Sequence, residues 1–118
     1  MKRARLDPKR PGKRSKYRNV ITERDGIKFD SALEAKRYGE LTLLLKAGKI
    51  SHLDRQFRYP LIVGTTVIGH YVADFEYFCW DRHCIVTEDC KGQRLPLYIW
   101  KSKHFKAQYG REIVEIHK

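Results

Sequence analysis

Cysteine is scarce in this sequence and unpaired in its spacing. Three residues, Cys79, Cys84 and Cys90, form no Cys-x-x-Cys pair. With His83 added they still match no ordinary zinc pattern, so they read as small buried hydrophobes rather than ligands. An odd thiol count, with no apolar stretch after the basic N-terminus, is not the pattern of a secreted disulfide scaffold, and it predicts a reducing, cytoplasmic setting. Long hydrophobic runs are also lacking. The leucines at Leu43 to Leu45 fall far short of the ~20 residues a bilayer span needs, which predicts no membrane partner. No internal repeat is visible. Acid is in short supply too, with 14 Asp and Glu against 25 Lys and Arg.

The resulting net charge of +11 is large for 118 residues, and a field of that sign draws in polyanions, of which nucleic acid is the commonest. The apolar content of 42% with 12% aromatics is that of a globular chain. A domain of this length buries enough surface to fold without staples. The charge is unevenly spread. Residues 1–16 hold eight basic residues against Asp7 alone, which is seven of the eleven net charges. Pro8, Pro11 and Gly12 break any helix there. The stretch reads as a flexible basic arm along phosphates or as an ordinary solvated tail.

A globular domain over residues 17–118 follows. Val20 to Phe29 predicts a hairpin turning at Asp25-Gly26. A helix capped by Ser31 and ended near Gly48 carries Leu33, Leu41, Leu44 and Leu45 on its apolar face. Strands are predicted over Gln56–Val63, with Pro60 marking an edge, then Val67–Phe78 and Cys84–Lys91. A second helix starts at Pro96 and stops at Gly110, with Trp100, His104 and Phe105 expected in the core. Ile113–Ile116 closes the chain as a strand. The order is hairpin, α, β, β, β, α, β.

The second and third of those long strands meet at the polar turn Asp81-Arg82-His83. Paired about that turn, Cys79 faces Cys84 and Asp74 faces Asp89. Carboxylates directly opposed in an antiparallel pair have Cβ atoms about 5 Å apart and repel, unless a cation lies between them. A hard divalent ion such as Mg²⁺ suits oxygen ligands. Lys91, two residues beyond Asp89, shares its face and can orient a water or neutralise charge growing on a phosphate. Glu88 and Cys90 point the other way. Glu34 falls on the helix stripe of Tyr38, Leu41 and Leu45, where a carboxylate needs a partner. Each member also has a plain reading: Ser31-x-x-Glu34 is a capping box, Asp74 an edge-strand charge, and Asp89 with Lys91 a surface ion pair.

The ordered set Lys16–Asn19, Phe29–Ala35, Gln56–Phe57, Ala73–Phe75 and Asp89–Gly92 resembles the PD-(D/E)XK nuclease superfamily. The likeness is to a group of small phage-encoded proteins related to Holliday-junction resolvases. It covers about residues 16 to 118. The resemblance implies a restriction-endonuclease-like αβββαβ core of α+β class, with a mixed central sheet flanked by helices. It implies Mg²⁺ or Mn²⁺ held by Asp74, Asp89 and the main-chain carbonyl of Cys90, with Glu34 as a direct or water-bridged ligand and Lys91 orienting the attacking water. Glu34, Asp74, Asp89 and Lys91 are thus the expected catalytic residues of a DNA endonuclease. Branched DNA in phage recombination or replication within a bacterial host is the implied substrate, and a homodimer would fit paired cuts. The chain departs from the pattern in having Ala73 where proline is usual before Asp74, and Asp89 where glutamate is commoner. Lys13, Arg14, Lys16, Arg18, Arg37, Arg94, Lys101, Lys103 and Lys106 are candidate DNA contacts, weighed against a solvated basic face. The competing function is a non-catalytic nucleic-acid-binding protein on the same fold.

Overall fold

The computed structural model describes residues 22–118. The basic arm and the start of the expected hairpin at Val20 lie outside them. The chain runs β1 (Thr22–Arg24), β2 (Ile27–Phe29), α1 (Ala32–Lys46), β3 (Ile50–Val63), β4 (Thr66–Cys79), β5 (Cys84–Cys90), α2 (Pro96–Tyr109) and β6 (Val114–Ile116). This is an α+β arrangement: a small β1–β2 hairpin, two helices, and a four-stranded sheet in the order β3-β4-β5-β6. β3, β4 and β5 form an antiparallel meander, while β6 lies parallel to β5 after the α2 crossover, which makes the sheet mixed. Among the described residues no helix is long and apolar enough to cross a membrane.

Local chemistry accounts for the element ends. Asp25 and Gly26 both have positive φ, as a two-residue I′ turn requires. Ser31 Oγ accepts from Glu34 N at 3.1 Å and caps α1. Pro96 begins α2, and Gly110, left-handed at φ 74°, ends it by donating its N–H to Lys106 O. β3 begins at Ile50, well before the expected Gln56, because the chain passes from the α1 cap almost directly into the sheet. Pro60 does lie on an edge strand. Two burial expectations are overturned. Leu44 and Leu45 are exposed, as is Leu43, so the last turn of α1 has outrun its cover. Trp100 is 52% exposed while Phe105 is fully buried, so the aromatics of α2 do not all turn inward.

The core is divided. One cluster gathers Phe29, Ala35, Leu41, Ile50, Phe75, Tyr77 and Val86 around α1. The other gathers Tyr59, Leu61, Tyr71, Ala73, Tyr98 and Phe105 around α2. They lie on opposite faces of the sheet. Val86 belongs to the first, while its neighbour Thr87 bonds the Tyr59 hydroxyl of the second at 3.0 Å, and successive strand residues point to opposite faces. In a regular strand Tyr71, Ala73, Phe75 and Tyr77 would share one face. Here β4 changes face between Ala73 and Phe75, at Asp74. β3 is irregular at the same level: Gln56 has φ 52° and sits between the paired rungs Arg55–Phe75 and Phe57–Ala73. This crossover decides what Asp74 can reach.

Candidate active site

β5 carries three consecutive buried polar residues, which a strand interior tolerates only when each is partnered. Glu88, 1% exposed, faces α1. It takes a two-pronged bond from Arg37 at 2.8 and 2.6 Å, and a further bond from the Tyr77 hydroxyl. Thr87 faces α2 and bonds Tyr59 and Arg111. Asp89 shares that face. Tyr71 OH donates to its Oδ2 at 2.6 Å, and Lys91 Nζ lies 3.1 Å from its Oδ1. The alternation expected of Glu88 and Asp89 therefore holds.

The hairpin register also holds, with Cys79 opposite Cys84 and Phe75 opposite Glu88. One rung further, the ladder is replaced by a side chain: Asp74 Oδ2 accepts from Cys90 N at 2.8 Å. Asp74 sits at the face crossover, so it stands between groups from both sides of the sheet. Glu34 comes from the α1 side and Asp89 from the α2 side. Gln56 Nε2 donates to Glu34 Oε2 at 3.0 Å and to Asp74 Oδ1 at 3.3 Å. Arg55, stacked on Phe29, holds its guanidinium 3.8 Å from Glu34. Of the expected capping box the Glu34 backbone N–H serves the Ser31 cap, while the Glu34 carboxylate turns to Gln56.

The three carboxylates and Lys91 line one cleft of about 660 Å³. Residues 30–34, which lead into the first turn of α1, form one wall, and His117 and Lys118 also line the cleft. Crowding of like charge shows in the ionisation. Burial, then Asp89 and Glu34, push the Asp74 carboxyl well above the usual carboxylate range. Burial and the charge of Asp30 raise Glu34 in the same direction. A cation here would relieve both. The donor set, all oxygen, is that of a hard divalent ion. Yet among the described residues no three Asp, Glu, His or Cys side chains already converge as a ligand cage. The oxygens are instead taken by Gln56, Lys91, Tyr71 and Cys90 N–H.

A family model described as "Protein of unknown function (DUF1064)" matches residues 14–117. The chain belongs to the DUF1064 family. No curated protein and no solved structure matches it. In this DUF1064 chain the match takes in all the cleft residues named above except Lys118.

The candidate DNA contacts divide. Lys13, Arg14, Lys16 and Arg18 lie outside the described residues. Arg37 is spent on Glu88 and Glu40, so its charge is answered within the fold. Lys101 Nζ donates to His70 O at 2.7 Å. Arg94 bonds Glu115 and Lys106 lies 3.3 Å from Glu112, while Lys103 is exposed. The three cysteines are half-buried rather than buried as expected; Cys90 packs toward the α1 cluster, and burial pushes its thiol up to about 12. Two supporting residues were not anticipated. Tyr71 pins Asp89, and strand parity on its own puts it on the wrong face. Tyr98 lies under Lys91, whose Nζ is 3.8 Å from the ring centre, and its hydroxyl donates to Glu115.

Proposed function

We propose that this protein is a divalent-metal-dependent nuclease that hydrolyses phosphodiester bonds in DNA. The observation that carries the reading is the meeting of Glu34, Asp74, Asp89 and Lys91 in one cleft at the point where the sheet changes face. The four groups come from α1, β4 and the end of β5, and burial with like charge raises the carboxyls of Asp74 and Glu34 there. Ionising all three carboxyls together opposes folding. The PD-(D/E)XK resemblance and the basic charge support the same conclusion.

Asp74, Asp89, Glu34 and the main-chain carbonyl of Cys90 would hold Mg²⁺ or Mn²⁺. When bound, the ion would supply Lewis-acid stabilisation of a phosphoryl group and a more acidic water. The chain's own residues do the rest. Tyr71 fixes the rotamer of Asp89 through Oδ2. Lys91, which lines the cleft, is held between the Tyr98 ring and Asp89 Oδ1, where it would hold a water or a phosphate oxygen. The N-terminus of α1 adds backbone N–H groups and a positive dipole end to the same wall, which favours an anion. Surface lysines on α2 and the basic arm would contribute sequence-independent affinity. Branched DNA is the substrate we assign, and a resolvase acting on it would work as a symmetric dimer to cut twice.

The test is cleavage of supercoiled plasmid and of a synthetic four-way junction, with Mg²⁺, Mn²⁺ or EDTA, beside Asp89→Ala. Cuts that need metal and vanish in Asp89→Ala are expected, with the junction preferred. Binding without cutting under either metal would leave a non-catalytic nucleic-acid-binding protein.

A further inference from the structure

Gln56 has a conformation and a position that its place in an edge strand does not explain. Its backbone is left-handed, a region that side chains with a Cβ enter at a cost and that glycine occupies freely. It interrupts the β3–β4 ladder opposite Asp74. What the distortion achieves is delivery of the carboxamide between two acids, Glu34 and Asp74, each within hydrogen-bonding distance of Nε2. The residue is exposed, so its side chain has room to move.

A carboxamide has two unlike ends. Between two ionised carboxylates the NH₂ end faces inward, because an ionised carboxylate only accepts. Once a cation lies among those carboxylates the field reverses, and the Oε1 end becomes the favoured one. Glutamine carbonyls are competent ligands for hard divalent ions. We propose that Gln56 is a reversible member of the ion site. Its NH₂ end holds Glu34 and Asp74 together while the ion is absent, and its carbonyl end takes the ion when it arrives. This rests on the metal-dependent reading above. It also accounts for why the three acids form no ready-made cage: the place of the ion is kept by the amide.

The experiment uses the full chain and Mg²⁺ or Mn²⁺ alone, without DNA. The side-chain NH₂ resonances of Gln56, assigned by nitrogen-15 NMR, are followed through a Mg²⁺ titration, and Mn²⁺ affinity is measured by calorimetry for wild type, Gln56→Ala and Gln56→Glu. The Gln56 NH₂ signals should shift and saturate with the ion. Gln56→Ala should bind Mn²⁺ about ten- to a hundredfold more weakly. Gln56→Glu keeps an oxygen for the ion but loses the donor, and it should bind at least as tightly as wild type. A wild type that binds the ion with no movement of the Gln56 signals overturns the inference and leaves the metal reading intact. So does equal weakening in Gln56→Ala and Gln56→Glu, which would make the residue a donor bridge only. Should wild type bind no ion at all, both fall together. The wild-type titration decides the matter even if a variant fails to fold.

Discussion

Replacing Asp74 by asparagine should make the metal-free protein more stable at pH 8, although it removes a ligand. The Asp74 carboxyl rises from its ordinary 3.8 to about 8, chiefly through burial and then through Asp89 and Glu34. A folded-state value above the unfolded one means that the fold prefers the protonated form. That contribution to stability is complete below about pH 4 and is lost as the pH rises toward 8. Keeping the acid ionised above both values costs on the order of several kcal/mol, at about 1.4 kcal/mol per pH unit. Asparagine removes that cost but gives some back. Its Oδ1 can still accept from Cys90 N–H, while its NH₂ meets the Gln56 donor. A net gain of at least about 1 kcal/mol should survive, which is roughly 4 °C or more in melting temperature for a domain of this size. The assay is thermal melting in EDTA from pH 4 to pH 8. Wild type should lose stability across that range, and Asp74→Asn should follow a flatter curve and melt higher at pH 8. Added Mg²⁺ should raise the wild-type melting temperature at pH 8 and leave the variant unmoved. If Asp74→Asn melts below wild type at pH 8 in EDTA, the carboxylates do not strain the fold, and the electrostatic case for a cation in the cleft is refuted.

Other outcomes follow from the same geometry. Lys91→Met should keep Mn²⁺ binding by calorimetry and lower the cleavage rate by roughly 10²–10⁴-fold, the range for losing a positioned acid–base group. Arg37→Ala strands Glu88, so it should lower unfolding free energy by about 3–5 kcal/mol in urea melts, and Arg37→Ala with Glu88→Gln should recover part of it. Tyr71→Phe removes one bond to a buried carboxylate and should cost about 1–3 kcal/mol by the same melts, with weaker Mn²⁺ binding. Deleting residues 1–16 should reduce the salt dependence of DNA binding in fluorescence titrations while cleavage chemistry at saturating DNA is retained.

Much of the frame was legible because short-range signals agreed with one another. Asp25-Gly26, Ser31, Pro96 and Gly110 each set an element end by a local mechanism, and the Asp81–His83 turn fixed the register from Cys79–Cys84 to Phe75–Glu88 that brings Asp74 and Asp89 to the same end of the ladder. What was hidden depends on distant partners. Nothing in the residue type of Gln56 announces a left-handed backbone, and the alternation Tyr71, Ala73, Phe75, Tyr77 continues unbroken through the point where β4 changes face. Parity arguments therefore place Tyr71 on the wrong side and give no hint that it would meet Asp89. Arg37 reads as a surface cation on a helix, since Glu88 is far away in sequence. Leu44 and Leu45 extend the apolar stripe of α1, but periodicity marks only a direction and says nothing of where the sheet beneath comes to an end.

The parallel pairing of β5 with β6 carries a kinetic consequence. The antiparallel strands β3 to β5 join through tight turns and can zip up from neighbouring contacts. β6 can pair only after the whole of α2 has closed a long loop, and that is the slow kind of step. Lys91 N–H donates to Ile116 O at 2.9 Å, and Glu115 lies beside Asp89, so the strand that is late to arrive also fixes the backbone of the lysine. During refolding, tyrosine signals from the meander should recover before the Lys91 N–H gains protection from hydrogen exchange. A chain caught between the two would already hold the acids of the cleft, but not the strand that fixes the backbone of Lys91.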